Sequence, residues 1–226
     1  MSENKKKDKE IINESDLNGS ETAKELILVD AETREVADAI YAQLLQSGVL
    51  NEVDEIYPRL DPAVIEVEEL EDRKKELREY FEQIPFVIIM DDEIMIVRGL
   101  KRMMDRLKRN TKDNVQTFTD PRQALEVIAD LPPFSVIISD NNMGLNSMGF
   151  EGRQIAKNTF EERSKKGISF IIHSGDSEDK FKEGLEEGYI DAFFDKGFSE
   201  ISTLKGQSRI AQVFLDKVIK LKKVDG

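Results

Sequence analysis

Phe86-Val87-Ile88-Ile89-Met90-Asp91-Asp92-Glu93 runs five apolar residues straight into three carboxylates. A short continuous apolar run suits a strand buried on both faces of a parallel sheet, although periodicity by itself does not separate it from a turn of buried helix. Two acids at the C-terminal end of such a strand lie where open α/β sheets place their ligands. Adjacent Asp residues repel each other and stay ionised only beside a compensating cation. An oxygen-preferring divalent ion, Mg2+ above all, is the natural choice. The plain alternative is a strand that ends in a solvated acidic turn.

Downstream, apolar runs and helical patterns alternate, the signature of βα units around a parallel sheet. The first strand is Phe86–Met90, followed by a helix from Ile94 to Lys108. Val115–Phe118 is a short strand, and Thr119-Asp120-Pro121 caps a helix that Pro132-Pro133 stops. Ser135–Ser139 is the third strand, ending at Asp140, and a Gly- and Asn-rich loop leads to a helix over Arg153–Arg163. Ile168–His173 is the fourth strand, ending at Ser174-Gly175-Asp176, with a helix over Asp179–Glu187. Ala192-Phe193-Phe194 is the fifth, ending at Asp195-Lys196, and Gln207–Lys222 is the closing helix. The expected fold class is α/β: a doubly wound five-stranded parallel sheet, flavodoxin-like with strand order 2-1-3-4-5, carrying an N-terminal helical extension.

Upstream, residues 1–20 are polar and expected to be disordered, and residues 21–84 form an acidic, mainly helical region before the domain of residues 85–226. Leu26–Val29 suits a short strand, and Asp30 an N-cap for a helix over Thr33–Gln46. Residues 49–60 are ambiguous, and Asp61-Pro62 is a second helix start. From there Ala63, Val67, Leu70, Lys74, Leu77, Phe81 and Ile84 form a heptad seam of about three repeats. That seam has two readings: a homodimer through residues 62–84, or an amphipathic helix packed on its own domain.

At 226 residues and 39% hydrophobic, the chain holds one ordinary domain with a smaller appendage. The absence of Cys excludes disulfides and thiolate metal sites and fits a reducing compartment. No apolar run approaches the ~20 residues that span a bilayer, and the lysine-rich start has no apolar core behind it, so a soluble, cytoplasmic protein is expected. Charge is uneven: residues 1–84 carry 11 Lys+Arg against 23 Asp+Glu, nearly the whole of the net −13. An acidic segment of this kind is repelled by phosphate backbones, which argues against DNA or RNA as a partner. There is neither a GxxxxGK[ST] loop nor a GxGxxG after a strand. His173 is the sole histidine, expected as a packed, hydrogen-bonded side chain; with no other His or Cys, a histidine-based metalloenzyme is excluded, as is any Ser-His-Asp or Cys-His mechanism that uses more than this one residue.

Four strand ends therefore carry Asp91/Asp92, Asp140, Ser174 and Lys196, all on one edge of a parallel sheet. The carboxylates could hold a hard cation, Asp140 could serve as nucleophile or third ligand, and Ser174 and Lys196 could bind an attached anion. As an ordered set these residues resemble the receiver domain of two-component response regulators. The matching stretches are Val87–Glu93, Ile137–Met143, Ile171–Gly175 and Phe193–Phe198, within about residues 85–223. The resemblance implies that Asp140 is the phosphoacceptor, and that Asp91, Asp92, Asp140 and the backbone carbonyl of Asn142 hold Mg2+. It further implies that Ser174 and Lys196 contact the phosphoryl group, and that Phe193 is a switch aromatic turning inward as Ser174 moves. A histidine kinase or phosphotransfer protein would be the phosphodonor in a phosphorelay.

Several positions depart from that family's pattern. Gly144 and Gly197 stand where proline is usual, Gly175 stands for alanine, and the loop 144–149 is longer. A Lys-Pro bond is commonly cis, so the Lys196–Gly197 bond is expected to be trans. With nothing after Gly226, output is expected through contacts with a protein partner, using the surface of roughly Asp179–Phe198 or the N-terminal helices. The expected role is a signalling switch, with only self-phosphorylation and slow autodephosphorylation as activity. The alternatives are a non-phosphorylated adaptor that docks a partner constitutively, and a Mg2+-dependent phosphotransfer enzyme acting on small molecules.

Overall fold

A computed structural model describes residues 31–46, 67–144, 151–198 and 200–223. The strand proposed at 26–29, the N-cap at Asp30, the start at Asp61-Pro62, the stretch 49–60 and the tail 1–20 lie outside the described residues. Five strands form one parallel sheet: β1 Val87–Met90, β2 Val115–Phe118, β3 Val136–Ser139, β4 Ser169–Ser174 and β5 Ala192–Asp195. Their order is β2-β1-β3-β4-β5, the doubly wound flavodoxin-like arrangement expected. The helices are α1 Ala31–Gln46, α2 Val67–Gln83, α3 Ile94–Leu107, α4 Pro121–Ile128, α5 Gly152–Asn158, α6 Phe160–Lys165, α7 Lys182–Glu187 and α8 Leu204–Lys223.

The continuous apolar runs are explained by cover on both faces. Val87, Ile89, Val136, Ile138, Ile171 and Phe194 face α3 and α8, while Ile88, Met90, Ile137, Phe170, Ile172 and Phe193 face the α4, α5 and α7 side. Alternate residues of one strand thus enter two separate cores. Asp120 caps α4 by accepting the Arg122 N–H at 3.0 Å, with Pro121 in the first turn, as the Asp-Pro pair predicts.

The helix expected over Arg153–Arg163 is two helices, broken at Thr159. Arg163 is buried, and its guanidinium donates to the carbonyls of Ala156, Ile168 and Tyr189 at 2.8, 3.2 and 3.0 Å. It therefore takes up an end carbonyl of α5 that a continuous helix would have bonded internally. The helix expected over Asp179–Glu187 opens instead with a 3-10 turn, Glu178–Phe181, before α7.

The N-terminal helices pack on α8. Ala37, Ile40 and Leu44 of α1 and Leu77, Tyr80 and Phe81 of α2 join Ile210, Phe214, Leu215 and Val218 in one apolar cluster that continues to the sheet. Within a single chain, the seam residues Leu77, Phe81 and Ile84 are already buried. Lys108, fully buried at the end of α3, donates from Nζ to the carbonyls of Phe81 at 2.8 Å and Ile84 at 2.5 Å. An ammonium at the negative end of α2 satisfies carbonyls the helix leaves open. Among the described residues no helix is long and apolar enough to cross a membrane.

Candidate functional site

Parallel pairing sets Met90 opposite Ser139, so the next residues, Asp91 and Asp140, leave adjacent strands side by side. The Asp91 N–H donates to Phe118 O and the Asp140 N–H to Met90 O, which carries the ladder one residue past the strand ends. Both carboxylates are therefore fixed by backbone pairing. On the other side Ser174 pairs with Asp195, which places Lys196 just beyond the end of β5.

Lys196 reaches back across the sheet edge. Its Nζ lies 2.8 Å from Asp91 Oδ2, 2.9 Å from Asp140 Oδ2 and 3.5 Å from Glu93 Oε1. Burial works against its charge, but Asp91 and Asp140 outweigh it and hold the ammonium above its ordinary pKa. Asp91 behaves in the opposite sense: burial pushes its carboxyl up to about 6, against the pull of Lys196 and the Glu93 N–H. One Asp91 oxygen accepts that N–H at 2.9 Å, and Asp140 Oδ1 accepts the Asn141 N–H at 2.6 Å. Asp91 Oδ2 is buried, has Lys196 as ionic neighbour and lacks a well-aligned hydrogen bond.

Ligand atoms of Asp91, Asp92 and Asp140 lie within 4.8 Å of one another. Three hard oxygens, one of them a buried atom whose only close partner is the Lys196 ammonium, fit a hard metal cation. Asp91 and Asp140 are buried while Asp92 is exposed, so the group opens to solvent on one side. Asn142, whose backbone carbonyl completes the ligand set implied by the resemblance, lies in the same loop. Its side chain donates to Asp176 Oδ2 at 3.1 Å.

Ser174 is fully buried, and its Oγ accepts the Asp176 N–H at 3.3 Å. Phe193 is also buried, its ring stacked on Phe181 with centroids 5.1 Å apart. The ring already points inward. His173 is buried and held neutral: burial, then the charge of Lys196, pushes it down to about 4. Its Nδ1 finds no hydrogen-bond partner among the described residues.

Two of the departures acquire a physical meaning. Gly144 has φ +81°, a conformation proline cannot adopt, and a Cβ there would stand 2.9 Å from Asp92 Oδ2. No described peptide bond is cis, so Lys196–Gly197 is trans, and the Gly197 N–H donates to Asp195 Oδ1 at 2.6 Å. Proline would lack that donor.

Sequence reasoning passed over other residues. Asp176 accepts from the side-chain amides of both Asn141 and Asn142 at 3.1 Å and pairs with Lys180, tying the loop after β4 to the loop after β3. Gly152 lets α5 start directly against Asp140: a Cβ there would stand 2.2 Å from the Asp140 carbonyl oxygen. Both had weak signals, an Asp after Ser174-Gly175 and a Gly in the Gly- and Asn-rich loop. Neither signal points to a partner without the fold.

No protein-family model matches the chain, and no curated protein matches it. Among solved structures, an adenylate cyclase from Rhodopirellula baltica is similar at 22% identity with a TM-score of 0.45, over 62% of this chain and 96% of that one.

Proposed function

We propose that this chain is a phospho-accepting receiver, a signalling switch that takes a phosphoryl group on Asp140 with Mg2+. The observation that carries the proposal is Lys196 Nζ set between Asp91 and Asp140 at 2.8 and 2.9 Å, with Asp92 beside them. An Asp140 carboxylate oxygen attacks the phosphorus of a phosphohistidine on a kinase or phosphotransfer protein. The P–N bond breaks, the imidazole leaves and takes up a proton, and Asp140 becomes an acyl phosphate. Asp91, Asp92, Asp140 and the Asn142 carbonyl would hold Mg2+, which would supply charge neutralisation for the phosphoryl oxygens.

Lys196 keeps an anion-binding hand in the site throughout. Before transfer it neutralises two carboxylates; afterwards it pairs with a group of about −1.5 to −2 charge. The Ser174 hydroxyl, now bonded by the Asp176 N–H, donates to a phosphoryl oxygen. Because Ser174 ends β4 next to β5, that movement bears on Phe193 and on the surface formed by α7 and β5. Hydrolysis of the acyl phosphate resets the switch, and output is contact with a protein partner.

A specific observation also favours the second reading, a constitutive adaptor. Lys196 already satisfies Asp91 and Asp140 without a phosphoryl group, and the Gly144 turn departs from the proline-bearing loop.

The test is phosphate incorporation from acetyl phosphate with Mg2+, measured by intact mass. The receiver reading expects a gain of about 80 Da, one phosphoryl group, in the native chain and none in Asp140→Asn or with EDTA. No gain, together with no binding of beryllofluoride, favours the adaptor.

A further inference from the structure

A cleft of about 520 Å3 opens between α2, α3 and the start of α8, away from the carboxylate site. Lys74 and Arg78 stand one turn apart on α2, and Arg102 and Arg106 one turn apart on α3. Four cations thus line one cleft, and no described acidic side chain lines it. Arg78 and Arg106 form no ion pair among the described residues. In a chain of net charge −13 this is a strong local reversal, and like charges brought together repel unless an anion relieves them.

We propose that this cleft is a binding site for a small organic polyphosphate, a molecule with two or more linked phosphates. Guanidinium forks match phosphate oxygens bidentately, and arginines on two helices span more than one phosphate. Met103 and Leu107 give the cleft an apolar floor, and Ser202 and Gln207 line its α8 side, the Gln207 amide donating to the Ser202 carbonyl at 3.1 Å. Its volume falls in the range of roughly 300–1,000 Å3 that small molecules occupy. A bound polyphosphate would bridge α2 to α3 and so fasten the N-terminal helix to the sheet domain.

The test is calorimetric titration of the full chain with tripolyphosphate, ATP and orthophosphate, all in EDTA so that the carboxylate site takes no part. Saturable binding of tripolyphosphate and ATP is expected, weaker by about tenfold or more for orthophosphate. Arg78→Gln with Arg106→Gln should lose about tenfold to a hundredfold in affinity. Gly99 lines the cleft, and a Cβ added there meets nothing within 4 Å. Gly99→Leu should therefore fold, unfold at no lower temperature and still lose binding by filling the space. Asp140→Asn should bind as the native chain does, which separates this site from the receiver reading. The proposal is overturned if tripolyphosphate does not saturate, or if both cleft variants bind normally. It is equally overturned if a poly-aspartate peptide binds more tightly than tripolyphosphate, which would assign the cleft to an acidic protein.

Discussion

Replacing Lys108 with methionine removes the buried ammonium that fastens the end of α2, and the cost should depend on pH. Burial pushes Lys108 down to about 8 from 10.5, with the charge of Glu82 acting the other way. In the native state the proton therefore leaves near pH 8, while the unfolded chain holds it to about 10.5. Between those values the unfolded state binds more protons, so this group adds stability as pH rises and withdraws it as pH falls back through 8. The full window is worth about 3 kcal/mol, of which about 2 kcal/mol is reached by about pH 9.5. The neutral amine still has N–H groups for the carbonyls of Phe81 and Ile84. Methionine has none. Near pH 7 the variant leaves the Ile84 carbonyl without its Lys108 donor at about 1–3 kcal/mol, while the Phe81 carbonyl keeps the Ile84 N–H at 3.2 Å, and the loss is offset by the several kcal/mol that burying a charge costs. The net loss there is modest. Urea unfolding of both proteins at about pH 7 and about pH 9.5 should show the gap widening by about 2 kcal/mol, with other titrations cancelling in the difference. A gap that stays constant or narrows as pH rises refutes the reasoning.

Leu77→Asp places an unpaired carboxylate at a position 2% exposed, in the core shared with α8. It should cost about 3 kcal/mol or more; a lower oligomer on sedimentation with an unchanged urea midpoint would instead make the seam chiefly a dimer interface. Gly144→Pro introduces the residue usual in receivers at a φ of +81° that proline's ring forbids. A loss of about 1–3 kcal/mol is expected, with weaker Mg2+ binding because Asp92 abuts this turn. Unchanged stability and unchanged Mg2+ affinity would show that the turn is not built this way.

The strands and the residues at their ends were legible because the signals are local. A run such as Val87–Met90 is apolar throughout because helices cover both faces, and the polar residue that follows marks where the sheet edge begins. Once the strands are known to be parallel, Asp91, Asp140, Ser174 and Lys196 must share that edge. Thr159 was not legible as a helix break, because the force that ends α5 is Arg163 collecting carbonyls from residues as distant as Tyr189. The bond network around Asp176 was hidden for the same reason.

By itself the sequence determined the element types, the sheet edge on which the acids gather and the candidates for the carboxylate site, since each follows from periodicity and from where a run stops. Only the tertiary structure decided that Leu77, Phe81 and Ile84 of the seam join the core shared with α8, and which charges meet. A period of three and four residues records that a helix has an apolar stripe, and the stripe is the same whether α8 or a second chain covers it. Likewise Lys74, Arg78, Arg102 and Arg106 are ordinary solvated cations along the chain; they become a cleft only when α2 is laid against α3. Charge and burial at a site are sums over neighbours in space, and those neighbours are supplied by packing.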